Sequence, residues 1–265
     1  DFFEDFLKPA FENSTSYSRV AGHFSSSVFE IYYESLEKFI NNAKSSKQDQ
    51  IPMRLIISHK ISDKRDAITA DEAYENKKNQ EDIERDLKFT IESFLDSEER
   101  LDRFKLFAYL IEHSLLEVKV GVFKKNQDVH YTNYLHDKTG IFSDGENTVS
   151  FRGGVNESRS GYTNFDSFDT NRSWLNSEDT NEKISSHVRL FEKFWSNDSE
   201  RLNIYSLPTA IKREILKYSP SREEYRKITG RINSKEAKNE KLLTGIEPRE
   251  HQARAIKIWR KNKYR

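Results

Sequence analysis

His136 and Lys138 stand two residues apart, flanking Asp137. On an extended strand, residues i and i+2 share one face about 7 Å apart. An imidazole is a competent nucleophile and proton carrier, and an ammonium beside it can hold a phosphate oxygen. That pair is what phosphodiester cleavage needs, and the spacing predicts an H-x-K carried on a strand. By itself it is a weak sign, because a lysine-rich chain with 7 His contains such a triplet by chance about every second time. Gly153 and Gly154 follow, with Asn156 two places beyond. Paired glycines let backbone come close to a ligand phosphate, and the Asn156 amide can donate to a phosphate oxygen. Taken in isolation, Gly-Gly reads more plainly as a turn. Asp166, in the stretch NFDSF, is a carboxylate able to orient and polarise a histidine. Trp174 reads as core rather than contact.

The elements that must position these residues alternate between strand and helix. Phe2, Phe3, Phe6, Leu7 and Phe11 recur at helical spacing, and 17–24 reads as a short buried strand. Ser25 to Ser27 offer an N-cap for a helix over 28–43. MRLIIS at 53–58 is a compact apolar strand, whereas 59–83 is charged and nearly free of large apolar side chains. Helical faces are expected over 89–94 and 101–113. LEVKVGVF at 116–123 alternates as a strand does. Strands are further expected over 131–135, 139–142 and 148–151, with Asp144-Gly145 as a hairpin turn. A helix follows over 187–195. Beyond Pro208 the chain becomes charged and helix-prone, which reads as a connector. Alternating strands and helices indicate an α/β sandwich.

Composition narrows the function classes. The 265 residues suffice for one domain with an appendage, and 18 Phe, 12 Tyr and 3 Trp supply a core despite a mean hydropathy of -0.88. No apolar run is long enough for a membrane span, and no signal-peptide pattern opens the chain. Cysteine is absent, which excludes disulfides and Cys-ligated zinc and fits a cytoplasmic protein. No H-E-x-x-H is present and the carboxylates are scattered, so neither a metal nor another cofactor is expected. Lys and Arg balance Asp and Glu at 44 each, so any DNA contact must come from a local basic groove rather than a net basic charge. Lys119, Lys124, Lys125, Arg152 and Arg159 are candidate phosphate contacts, and equally ordinary surface charges.

The order H-x-K, then G-G-x-N, then a carboxylate some ten residues on resembles the catalytic motif of the phospholipase D superfamily. The longer stretch HDKTGIFSDGENTVSFRGGVNESRSGYTNFDSFDTNRSW resembles the phospholipase D-like nuclease domain that precedes superfamily 2 helicases in bacterial restriction and phage-defence systems. The flanks FLKPAFENSTSYSRVAGHFSSS, MRLIIS and FEKFWSN agree, so the resemblance covers roughly residues 2–210. It implies an α/β/α sandwich with a mixed central sheet and a helical C-terminal connector. It also implies that His136 is the nucleophile forming a phosphohistidine, that Lys138 and Asn156 hold the non-bridging oxygens beside Gly153 and Gly154, and that Asp166 supports the histidine. Two positions depart from the pattern. The usual acidic residue five places after the lysine is Ser143 here, with Asp144 one place late, and the usual Gly-Ser is Gly153-Gly154, which lacks a hydroxyl.

The superfamily mechanism needs two histidines, a nucleophile and an acid for the leaving oxygen. His23, His59, His113, His130, His187 and His251 all lack a lysine two residues on. The resemblance therefore implies a homodimer, with one His136 from each subunit meeting across a two-fold axis, a different partner subunit being the other way to complete the pair. Near the C-terminus, EPREHQARAI resembles the adenine-recognition motif of superfamily 2 helicases, with Gln252 reading the adenine edge. The expected organisation is thus a nuclease domain over 1–210, a charged connector over 211–246 and the beginning of a helicase motor over 247–265. No phosphate-cradling G-x-x-x-x-G-K-[ST] loop is present. Two alternatives stay open: a lipid phosphodiesterase, for which no membrane-binding helix speaks, and a catalytically silent module that binds DNA or dimerises the helicase.

Overall fold

The computed structural model describes residues 3–22, 29–46, 50–58, 88, 91, 98–124, 135, 137–154 and 167–231. The chain divides into two compact units, Asp1–Ser221 and Arg222–Arg265. In the second unit, 222–231 is helical. The stretch resembling a helicase motif, with Gln252, lies outside the described residues.

The first unit opens with a π-helical turn, Phe3–Leu7, running into α1 (Lys8–Glu12). Then come β1 (Ser16–Ala21), α2 (Phe29–Ser45), β2 (Met53–Ser58), α3 (Glu98–Glu112) and β3 (Leu116–Phe123). The strands β4 (Thr139–Ser143), β5 (Thr148–Gly153) and β6 (Phe168–Arg172) follow, then a 3-10 turn, Ser173–Leu175. The long helix α4 (Glu178–Trp195), β7 (Leu202–Ser206) and α5 (Thr209–Leu216) complete the unit. The fold is mixed α/β, as expected, around one seven-stranded sheet in the order β6-β5-β4-β1-β2-β3-β7. β1, β2 and β3 run parallel, and every other pairing is antiparallel.

Register sorts the side chains onto two faces. Tyr17, Arg19, Leu55, Val118, Phe142 and Phe151 share one face by their cross-strand pairing. Phe11 meets Tyr17, Phe39 and Phe142 there, with ring centroids 4.8 to 5.6 Å apart, so α1 and α2 seal this side. The other face carries Val20, Ile56, Ile141, Leu202 and Ile204, which cluster with Leu135 and with Phe191 of α4. Arg54 ties α4 down at this point. Its guanidinium lies 4.9 Å from the Phe191 ring and pairs with Glu192 at 2.7 Å.

Several boundaries differ from those expected, for identifiable reasons. The opening helix stops at Glu12 because the Asn13 amide side chain folds back on the Pro9 carbonyl and Thr15 N–H pairs with Ser143, which begins β1. The first compact unit extends past residue 211, to Ser221. Tyr218 packs edge-on against Phe104 of α3 at 5.4 Å, and Ser219 hydrogen-bonds Glu112 at 2.5 Å, so α5 and its continuation belong to the first unit. Trp174, expected in the core, is instead 51% exposed with Leu175 beside it. It sits in the short turn after β6, the terminal strand of the sheet. The expected strand over 131–135 apart from Leu135, the N-cap serines and most of 59–97 lie outside the described residues. Among the described residues, no helix is long and apolar enough to cross a membrane.

Candidate active site

The sheet changes character at β1, which pairs parallel with β2 on one side and antiparallel with β4 on the other. β1, β2 and β3 run parallel and in register, so their carboxyl ends lie together at one end of the sheet. Gly140 lies opposite Arg19, so the start of β4 adjoins the carboxyl end of β1. Thr139 pairs with Arg152, so the end of β5 is at the same edge, and Gly153 pairs with Phe168 at the start of β6. Asp137 and Lys138, just ahead of β4, and Gly153 and Gly154, at the end of β5, therefore reach one end of the sheet on adjacent strands.

The H-x-K precedes β4 instead of lying on it, because ladder pairing begins at Thr139. His136 lies outside the described residues. Lys138 is buried, 5% exposed, at the threshold of the strand. One further step of the β4–β5 register sets it across from Gly153. Asp137, between the two motif residues, is held twice. One carboxylate oxygen accepts from Thr139 Oγ1 at 2.5 Å, and the other pairs with Arg152 Nη2 at 2.8 Å. The sequence reading singled out Arg152 only as a generic phosphate contact and gave Asp137 no role. The signal it lacked is the hairpin register, which brings positions 137 and 152 together.

Gly153 and Gly154 have local tasks that their spacing alone does not reveal. A Cβ on Gly153 would overlap the Ser167 carbonyl oxygen and stand 2.6 Å from Cα of Phe168. Its missing side chain thus lets β5 and β6 close against each other. Gly154 N–H donates to the same Ser167 carbonyl at 3.1 Å, so this amide does not face open space. Asn156 and Asp166 lie outside the described residues, as do Lys125 and Arg159.

Asp144 sits at the far end of β4, roughly 20 Å of extended chain from Lys138. It caps the hairpin turn as expected, accepting from the backbone N–H of Glu146 and Asn147 at 2.8 and 2.6 Å and from Asn147 Nδ2. Burial pushes its carboxyl up, but these donors outweigh that effect and hold it below the ordinary value. Gly145, with φ 102°, takes the positive-φ turn position. Asp144 therefore serves the turn and does not replace the acidic residue of the superfamily pattern.

Of the other candidate cations, Lys119 lies 4.2 Å over the Trp195 ring and donates to the Trp195 carbonyl, while Lys124 donates to the Ser199 carbonyl. Both are tied to structure at the β3–β7 side of the sheet. Arg19 is fully buried, its guanidinium 4.7 Å over the Phe151 ring. That ring occupies the space a Cβ on Gly140 would need. Beneath α4, His187 Nδ1 meets Ser150 Oγ at 2.9 Å. Burial pushes this imidazole below its ordinary range, with Arg152 and Lys183 adding to the effect and Asp137 opposing it.

No family model and no curated protein matches the sequence. Among solved structures, the chain is similar to NucT from Helicobacter pylori at 14% identity, over 76% of this chain and 92% of that one, with a TM-score of 0.39. A likeness that distant carries no argument, and the observations that bear on function are those of the sheet end itself.

Proposed function

We propose that this chain is a phospholipase D-type phosphodiesterase domain that cleaves DNA without a metal ion, as part of a restriction or phage-defence helicase. The observation that carries the reading is the β4–β5 register. It brings Lys138 of the H-x-K and Gly153 of the G-G-x-N to one end of the sheet, beside β1 where parallel and antiparallel pairing meet, with Lys138 buried there. In this reading His136 attacks phosphorus, a P–N bond forms and the P–O bond to the leaving strand breaks. Lys138 and Asn156 hold the non-bridging oxygens, and Asp166 orients the nucleophile. A second histidine protonates the departing oxygen, then draws a proton from the water that hydrolyses the phosphohistidine. His136 of a second copy supplies that histidine, which makes the active species a homodimer. Gln252 belongs to the adenine site of the motor, on the same polypeptide.

One observation favours a second reading. The Gly154 amide is occupied by Ser167, and no side-chain hydroxyl stands in its place, so the site has fewer donors for phosphate than the superfamily pattern provides. A catalytically silent module that binds DNA or dimerises the helicase would need none.

The test is incubation of the purified chain with DNA in excess EDTA, beside His136→Ala and with the mass in solution measured. The expected result is EDTA-resistant cleavage by a dimer, lower by on the order of a thousandfold or more in the variant. DNA binding and dimerisation without cleavage would establish the silent module instead.

A further inference from the structure

On the face covered by α4, Val20, Ile56, Ile141, Leu202 and Ile204 form an apolar cluster, but β5 and β6 beside it carry a polar row that Thr139 of β4 joins. Ser150 is fully buried with the largely buried Asn171 opposite it, and Thr139 pairs across from Arg152. A buried polar row requires partners. α4 supplies one through His187, whose Nδ1 lies 2.9 Å from Ser150 Oγ. The charged groups that act on the imidazole are Arg152 of β5, Asp137 ahead of β4 and Lys183 one helical turn earlier. Asp169 of β6 lies across from Arg152 in register. Asp137 is the immediate neighbour of Lys138 and is held by Arg152 at 2.8 Å and Thr139 at 2.5 Å.

We infer that His187 is a positioning residue for this site, acting through the Asp137–Arg152 pair on the approach to Lys138. While neutral, it anchors α4 on Ser150 and leaves Asp137 to Arg152. On taking a proton from solvent it becomes a second cation beside Arg152 and competes for the same carboxylate. That draws the 137–138 stretch toward α4. Burial and the two flanking cations keep the imidazole neutral until the solution is more acidic than an ordinary histidine requires. The consequence for cleavage rests on the phosphodiesterase reading, but the latch itself is observable without activity.

The experiment follows the His187 ring and the backbone amides of Asp137 and Lys138 by NMR across a pH titration of the full chain. Expected is a His187 midpoint below 6.5, the ordinary value, with both amides shifting at that same midpoint. In His187→Asn, which keeps a polar atom near the Nδ1 position, the amides lose that midpoint. In Arg152→Gln the His187 midpoint rises by about half a pH unit or more. Should His187→Asn fail to fold, Ser150→Ala supplies the second reading: removing the anchor shifts the same amide midpoint. Amides that ignore the His187 midpoint, or a midpoint at 6.5 or above in the unaltered chain, overturn the proposal. Where the chain cleaves DNA, the acid limb of its pH profile moves in His187→Asn, and an unmoved limb overturns the positioning role. A chain that cleaves nothing at any pH sinks the phosphodiesterase reading, and the titration still decides the latch.

Discussion

Gly153 is singled out in the sequence for one reason and needed in the fold for another. The paired glycines suggest close approach of a ligand, whereas at Gly153 the close approach is by the chain's own β6 backbone. Gly153→Ala is therefore expected to destabilise the fold by roughly 1–3 kcal/mol, because the obstruction is a carbonyl and a Cα that cannot swing away. Urea unfolding measures this, and a variant as stable as the parent would show that β6 can move aside. Gly154 differs. Gly154→Ser restores the hydroxyl of the superfamily pattern, and on the phosphodiesterase reading it raises cleavage on the order of tenfold, the worth of one hydrogen bond to a charged oxygen. Comparison of kcat for the two proteins checks it, and an unchanged or lowered rate removes the hydroxyl from the account. The residue types of the site were legible in the sequence because spacing fixes which are near in the chain. The Asp137–Arg152 pair was not, since only hairpin register brings those two together.

Elements with strong local signals emerged close to their expected bounds. MRLIIS became β2 and LEVKVGVF became β3, both with apolar side chains at positions that must be covered. β6 and β7 were missed: FDTNR carries one apolar residue and becomes a strand by pairing with β5, and LNIYS, despite Leu202, Ile204 and Tyr205, becomes one by pairing with β3. α4 was read from 187 onward, where its apolar residues concentrate, yet begins at Glu178, since its first turns are polar and exposed. Its attachment rests on Phe191, which is 2% exposed in the apolar cluster. Phe191→Ala is expected to cost about 3–5 kcal/mol through lost burial and the cavity left behind. Glu192→Gln, at a partner 48% exposed, is expected to cost less than about 1 kcal/mol. Unfolding midpoints of the two variants measure the contrast, and equal losses would mean that the ion pair rather than the ring fixes the helix. His187 gives α4 a pH dependence of known sign. With its folded pKa lowered, the unfolded chain binds the proton first, so this share of stability is full above 6.5 and is lost as pH falls below that value. His187→Asn should abolish that share of the acid-side loss in midpoint.

At the scale of the whole molecule, the sheet is asymmetric: β1, β2 and β3 run parallel with antiparallel β7 beyond them, β4, β5 and β6 lie antiparallel at the other side, and Lys138 precedes β4 at the junction. The sequence carries one H-x-K, so on the proposed chemistry a second chain must supply the second histidine. A two-fold axis makes each His136 the nucleophile in one site and its mate the acid, so no dimer with a single His136 can complete the cycle. The dependence on composition is then quadratic. When unaltered chain and His136→Ala are unfolded together in equal amounts and refolded, random pairing leaves roughly a quarter of dimers with both histidines. Cleavage at a quarter of the unaltered rate, per total protein, is the expected outcome. A value of one half would mean that each chain works alone, and the second proton carrier would then have to be sought within the same chain.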